Sequence, residues 1–384
     1  MNIGATRFER MIAIMKRCKI ISMYLPQYHV IPENSRFWGE GFTDWDCVKS
    51  AKPLFPGHNE PRIPQGGYYY DLSKKEDIKK QINLAHQYHI YGFGIYHYWF
   101  STDKRVLTKP AELILENKDL DIPFFFAWDN ASWKKSWSNV AGNDWAPMRE
   151  VQSQVSDEDT NNGILIPFVL GTEKDWKVHF DYLLDYFQDD RYIKVDNKPI
   201  FIVWNYSKAM EQMVCFWNKL AKENGFSGME IIYKYSSKIS IPEESNIFYY
   251  EPAHCAWDRL ENRIKNKIKN FARLNSTIKQ YDYDTAWNHL LKDAARADRR
   301  TYLGAFVDYD DSPRRANRGQ RLDGASPEKF ENYLAELLNI AKEKGKEYIF
   351  LTAWNEWGEG AYLEPDETNH YAYLEAINKA ITRQ

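Results

Sequence analysis

Eight short apolar runs, each closing on polar or aromatic residues, constrain this chain more than any other feature. They cover residues 19–24, 92–96, 123–127, 199–204, 230–235, 246–250, 302–307 and 348–353. Runs of this length without polar alternation read as strands buried on both faces. Between most of them lie helix-like stretches at 74–88, 108–117, 174–187, 208–223 and 327–344, with a last one at 371–382. In the third, Trp176, Phe180, Leu183, Leu184 and Phe187 form a stripe at helical spacing. Ser326-Pro327 marks a helix start, with Ser as cap and Pro in the first turn. Eight strands with intervening helices predict an α/β chain folded as a (β/α)8 barrel, the TIM-barrel architecture. A doubly wound open sheet fits less well, because no Gly-rich phosphate loop follows the first strand.

The 384 residues suit one large barrel with insertions. Residues 1–18 read as a tail or short helix and 19–384 as one catalytic barrel, with long insertions near 26–70, 130–171 and 255–300. The last insertion, rich in Lys, Arg and Asn, is expected to form helices over the rim. No apolar run reaches the length of a secretory core or a membrane span. The expectation is a cytoplasmic protein with no membrane span. A net charge of −3 argues against nucleic acid as the partner. Cys18, Cys47, Cys215 and Cys255 lie far apart without a CxxC, as free thiols would.

Sixty residues are aromatic, and many sit beside polar groups at the strand ends. Flat apolar faces with hydrogen-bonding edges suit sugars. In a barrel the active site forms at the C-terminal ends of the strands. The candidate substrate-binding residues there are Tyr24, Gln27 and His29 after strand one and His97 and Trp99 in strand two. Trp128 and Asn130 follow strand three, Asn205 strand four, Glu251 strand six and Asp308 strand seven. Arg314 is placed to grip an anion or a rim carboxylate. Trp354, Asn355 and Trp357 flank the strongest motif, the run WNEWGEG that ends strand eight. Its Glu356 and Glu359 are the candidate catalytic pair. Gly358 is expected to let the chain turn so that both carboxyls face one cleft. Aromatic burial and a like neighbour raise a carboxyl's pKa. Glycoside hydrolysis needs such a pair, one acid and one base or nucleophile. The competing reading is a tight loop whose glutamates pair with Arg. The indoles of Trp99, Trp128, Trp354 and Trp357 are expected to be partly exposed in one pocket. No HxH, GxSxG or P-loop occurs, so neither a metal nor another cofactor is expected.

The segments YLPQYHVIPENSRFWGEGFTDW, YGFGIYHYWF, DDSPRR and TAWNEWGEGAYLEPD together resemble the WbsX-like family. That family occurs in bacterial O-antigen and capsule clusters, within lipopolysaccharide biosynthesis, and is labelled glycosyltransferase. It is distantly similar to the endo-α-mannosidases of glycoside hydrolase family 99, which are (β/α)8 barrels. The resemblance implies that Glu356 acts on the sugar 2-hydroxyl, that Glu359 is the general acid/base, and that Tyr24 and Trp99 lie near the reacting sugar. It implies retention of configuration on an oligosaccharide or polysaccharide. The chain departs from the family's W-A-N-E-N-W run, with Asp129, Asn130 and Ala131 after Trp128. Its later apolar-Glu-Gln run appears as Ile166-Pro167-Phe168. A retaining endo-glycosidase or transglycosylase is the leading expectation. A surface-polysaccharide glycosyltransferase and a non-catalytic sugar-binding barrel are the alternatives. As strings, Asp44-Trp45-Asp46 and Asp308-Tyr309-Asp310 match the DxD of metal-dependent transferases.

Overall fold

The computed structural model describes residues 18–140, 146–149, 152–264 and 278–383. The expected N-terminal tail falls almost entirely outside them. Eight parallel strands close on themselves: β1 Lys19–Tyr24, β2 Gly92–Ser101, β3 Phe124–Trp128, β4 Lys198–Val203, β5 Glu230–Lys234, β6 Asn246–Phe248, β7 Thr301–Phe306 and β8 Tyr348–Thr352. Each pairs with its neighbour in chain order, and β1 closes the ring by pairing with both β2 and β8. The (β/α)8 barrel read from the sequence is therefore the fold.

The barrel is filled rather than hollow. Phe350 meets Phe125 at 5.1 Å and Phe248 at 5.9 Å between ring centres. Gly94 keeps the space beside them open, since a Cβ there would lie 2.8 Å from both Met23 Sδ and Phe125 Cζ.

The outer layer contains α1 Lys75–Gln87, α2 Lys109–Glu116, α3 Glu173–Gln188, α4 Met210–Glu223, α5 Tyr283–Arg296, α6 Pro327–Glu343 and α7 Ala372–Thr382. The start of α6 is as expected: Ser326 accepts a hydrogen bond from the Lys329 N–H, with Pro327 in the first turn. Residues 235–245 join β5 to β6 without a helix.

One expectation needs correcting. The insertion near 255–300 is not only a rim structure, because it contains α5. That helix buries Tyr283, Ala286, Trp287, Leu290, Leu291 and Ala294 and packs on α6, with Trp287 stacked on Tyr333 at 5.5 Å. The insertion near 26–70 supplies two short helices, Pro32–Trp38 and Asp44–Ser50. The insertion near 130–171 supplies a small hairpin, Trp133–Lys134 with Ile164–Ile166.

Candidate active site

The WNEWGEG run leaves β8 as a hairpin across the barrel mouth. Asn355–Glu356 pairs antiparallel with Ala361–Tyr362, and a single 3-10 turn, Trp357–Glu359, joins them. The left-handed residue is Gly360, at φ 60°, not Gly358. Gly358 is required for a different reason. A Cβ there would stand 2.6 Å from Arg314 Nε and from Asp44 Oδ2. The hairpin is tied to the β1 end twice. The Asn355 side chain exchanges two hydrogen bonds with the Leu25 backbone, at 2.7 and 3.0 Å. The Tyr28 hydroxyl donates to the Asn355 carbonyl at 2.6 Å and accepts from the Trp357 N–H at 3.1 Å.

This brings Glu356 and Glu359 together around one guanidinium. Arg314 Nη1 donates to Glu359 Oε1 at 2.6 Å, and its Nη2 lies 3.5 Å from Glu356 Oε2. Its other edge grips Asp44 with two hydrogen bonds, 3.1 and 2.9 Å. Arg314, Asp44 and Glu356 are buried, whereas 15% of the Glu359 side chain is exposed. Three carboxyls thus share one arginine. Burial holds the Glu356 carboxyl well above the ordinary carboxylate range, and the neighbouring Glu359 pushes it further. Glu356 Oε2 has no hydrogen-bond partner among the described residues.

Phenols and indoles wall this cleft. The Tyr96 hydroxyl faces Glu356 and Tyr250 without an aligned bond to either. Trp204 lies 5.3 Å from Tyr96 and 4.7 Å from Tyr250, with Lys234 Nζ 4.5 Å above the indole. Trp257 packs on Tyr309 at 4.7 Å. Trp204, Tyr250 and Trp257 are half-buried, so aromatic faces do border the cleft. Tyr96, Tyr98, Trp204, Tyr250, Trp257, Tyr309 and Asp44 are not among the cleft residues expected from the sequence.

The residues expected there divide. Gln27 joins the cleft, donating to the Tyr98 hydroxyl at 3.1 Å and keeping a buried, unpartnered Oε1. Arg314 joins it by gripping the rim acids. The four named indoles do not share an exposed pocket, and that expectation is corrected. Trp99, Trp128, Trp354 and Trp357 are all buried. His97, Trp99 and Trp128 project from the outer face of the sheet. His97 Nε2 lies 2.9 Å from His179 Nε2 on α3, and Trp99 stacks on His179 at 4.3 Å. Trp354 packs on Phe93 at 5.4 Å, and Trp357 stacks on Tyr362 at 3.7 Å.

Tyr24 also turns outward, its hydroxyl donating to Gln81 on α1 at 2.6 Å. His29 is buried beside Asp71. Asn130 and Asn205 lock each other, with the Asn130 side chain bonding the Asn205 N–H and carbonyl, both at 2.7 Å. Glu251 accepts from the Cys255 N–H, and Asn355 is committed to Leu25. Asp308 pairs with Arg62 at 3.1 Å.

His58, Glu60 and Asp310 offer atoms within 4.8 Å of one another, as a cation site would. The donor set does not fit one. His58 Nδ1 accepts the Leu54 N–H at 3.1 Å, so Nε2 carries the proton it donates to Asp310 at 2.8 Å. Arg62 Nε already stands 3.4 Å from Glu60. The same cluster braces the hairpin that carries Glu356 and Glu359: Arg62 donates to the Gly360 carbonyl at 3.0 Å, and the Asp310 N–H donates to the Glu359 carbonyl at 2.6 Å. Both DxD strings are therefore occupied in ion pairs, caps and backbone ties. Among the described residues no helix is long and apolar enough to cross a membrane.

Residues 20–377 match the protein family described as Glycosyltransferase WbsX. The chain is 28% identical over 373 residues to the uncharacterized protein WxcX of Xanthomonas campestris pv. campestris, covering 95% of this chain and 50% of that one. It thus spans about half the length of the curated relatives it matches. Among solved structures it resembles the GH99 endo-α-mannosidase from Bacteroides thetaiotaomicron, with TM-score 0.51 and 14% identity over 95% of this chain and 96% of that one. It also resembles a glycoside hydrolase-like protein, with TM-score 0.57 and 11% identity over 95% and 94%. At these identities the likeness is one of fold.

Proposed function

Because this chain belongs to the Glycosyltransferase WbsX family, we propose that its barrel breaks and remakes a glycosidic bond within a bacterial polysaccharide, with retention, using Glu356 and Glu359. The coarser statement, a carbohydrate-active fold, rests on the barrel and its glycoside hydrolase neighbour. The finer one is carried by one observation: both carboxyls meet Arg314, at 3.5 and 2.6 Å, at the C-terminal mouth of the barrel. A carboxylate nucleophile that retains configuration needs a partner acid about 5–5.5 Å away across the anomeric carbon. Two glutamates on one three-residue turn, held by one guanidinium, flank a substrate from the same side. That favours the 2-hydroxyl as internal nucleophile, with Glu356 on that hydroxyl and Glu359 protonating the leaving oxygen.

The burial of Glu356 favours a second allocation, in which Glu356 carries the proton and the ion-paired Glu359 stays charged. Leaving-group dependence separates the two. Replacing the acid by Gln costs about 10²–10⁴-fold on a sugar leaving group and far less on a nitrophenolate, which needs no proton. We expect Glu359→Gln to be rescued in this way and Glu356→Gln to be slowed alike on both substrates. The reverse pattern assigns the acid to Glu356. Full turnover of a fluorogenic α-mannoside panel by both variants would sink the assignment to this glutamate pair, and no turnover of it by the wild type would leave a sugar-binding barrel.

The family's description favours a sugar hydroxyl over water as acceptor. Product analysis with and without added oligosaccharide decides between them. Tight calorimetric binding of a sugar nucleotide would instead identify a transferase that uses an activated donor.

A further inference from the structure

Next to the cleft lies a second hollow, of about 110 Å³, lined by Lys134, Lys135, Ser136, Ser138, Arg315 and Arg318, with two apolar neighbours and, among the described residues, no carboxylate. Arg315 follows Arg314 in the chain, and the N–H of Met148, one of the hollow's apolar neighbours, donates to the Arg314 carbonyl at 3.1 Å, which ties the hollow's wall to the arginine of the cleft. A chain of net charge −3 has no general excess of cations to account for four in one place. Lys135 is only 4% exposed, and lysine is almost never buried without a reason. Its Nζ is held by the Val155 carbonyl at 2.7 Å and by Asp157 at 2.8 Å. Arg315 has Asp311 no nearer than 3.7 Å, and burial pushes that carboxyl up to about 7. Near neutrality Asp311 is therefore only partly ionised and compensates Arg315 weakly. Arg318 is exposed and has no ion pair among the described residues.

We propose that this hollow is an anion subsite of the cleft and that the substrate places a phosphoryl group in it. This rests on reading the neighbouring cleft as the site that acts on the glycan. A carboxylate is satisfied by one guanidinium fork. Two guanidinium groups side by side suit a tetrahedral oxyanion with several oxygens and up to two charges. The volume holds a single oxyanion. The phosphoryl group belongs either to a phosphorylated glycan or to the diphosphate of an activated donor.

Calorimetry on the full chain at low salt tests this with methyl phosphate, uridine diphosphate and acetate. Methyl phosphate is expected to bind in the millimolar range and to weaken as salt is raised. Acetate should bind more weakly still. Arg315→Gln with Arg318→Gln should weaken methyl phosphate by about tenfold or more, the worth of one lost charge-assisted hydrogen bond. Arg318→Gln alone, at an exposed side chain, should give part of that loss with an unchanged unfolding midpoint. Uridine diphosphate binding far more tightly than methyl phosphate assigns the group to an activated donor. Similar affinities assign it to the glycan. Acetate binding as tightly as methyl phosphate, or phosphate binding that is unchanged in both variants, overturns the proposal. Binding is measured without turnover, so Glu356→Gln and Glu359→Gln should leave it intact even if the catalytic reading of those residues fails.

Discussion

At the scale of single residues, the cleft depends on how closely one loop approaches one arginine. Gly358 lets the hairpin backbone lie against the Arg314–Asp44 pair, and Gly358→Ala forces a Cβ to within 2.6 Å of both side chains. Since the backbone cannot yield without moving Glu356 and Glu359, we expect Gly358→Ala to lose most turnover while the barrel stays folded. Circular dichroism beside an activity assay checks both halves. Arg314→Met is a different case. It strands the buried Asp44 carboxylate and removes the cation facing Glu356 and Glu359. Breaking a buried pair by deleting one partner costs about 3–5 kcal/mol, so urea unfolding should show a loss of that order. Arg314→Lys keeps a charge but not the fork that grips Asp44 at 3.1 and 2.9 Å. It should recover part of that stability and little of the activity.

At the scale of elements, β2 shows what was legible in the sequence and what was not. The eight strands could be read because a strand covered on both faces is a plain apolar run. The residues facing the cleft could also have been read, from alternation. Gly94 faces the barrel interior, so Tyr96 and Tyr98 do too, while His97 and Trp99 must face the helices. Chemical interest alone favoured imidazole and indole over the phenols beside them. The same strand supplies a paired prediction. Tyr96→Phe removes a hydroxyl that faces Glu356, and should lower kcat/KM by about 10–100-fold with stability nearly unchanged. Trp99→Phe thins the stack on His179 and should lower stability by about 0.5–3 kcal/mol with kcat/KM nearly unchanged. If the two effects are exchanged, the facing of β2 is wrong. Helix α5 was hidden for another reason. Its apolar stripe is present, but it follows a basic, polar stretch that reads as surface, so the whole segment reads as a rim insertion. The Glu356–Glu359 pair was legible because the motif is compact. Asp44, which braces it through Arg314, was not, because it opens the short helix Asp44–Ser50, 270 residues before Arg314 in the chain.

At the scale of the whole molecule, the cost of building a cleft and its bracing from buried acids should appear as a pH dependence of stability. Burial pushes Glu60, Asp311 and Glu364 each up to about 7 and raises Glu356 as well. In the unfolded chain such groups protonate only near their ordinary values, about 4. Between those limits the folded chain holds more protons, so stability is present at the acid side of the window and is lost as pH rises through about 7. Two buried imidazoles act in the opposite sense. Burial lowers His97 to about 3 and lowers His179 well below the ordinary value. Both stay neutral in the folded chain while the unfolded chain takes up protons below about 6.5, so they remove stability as pH falls through that point. The two sets oppose each other between about pH 4.5 and 6.5, and only the carboxyls act above it. Four raised carboxyls outnumber two lowered imidazoles, so the urea midpoint should fall from pH 5 to 6.5 and level off once the pH has passed about 7. Glu364 offers the sharpest check. Its carboxyl accepts from the Tyr70 hydroxyl, Trp357 Nε1 and Gln81 Nε2, at 2.8, 2.7 and 2.7 Å. In Glu364→Gln an amide N–H₂ must face one of these donors, which costs about 1–3 kcal/mol, and the side chain no longer titrates. The variant should be less stable at pH 8, and its deficit should widen as pH falls to 5, because only the wild type gains from protonation there. A deficit that instead stays constant from pH 8 to pH 5 would mean that Glu364 is ionised throughout, with its three donors outweighing its burial.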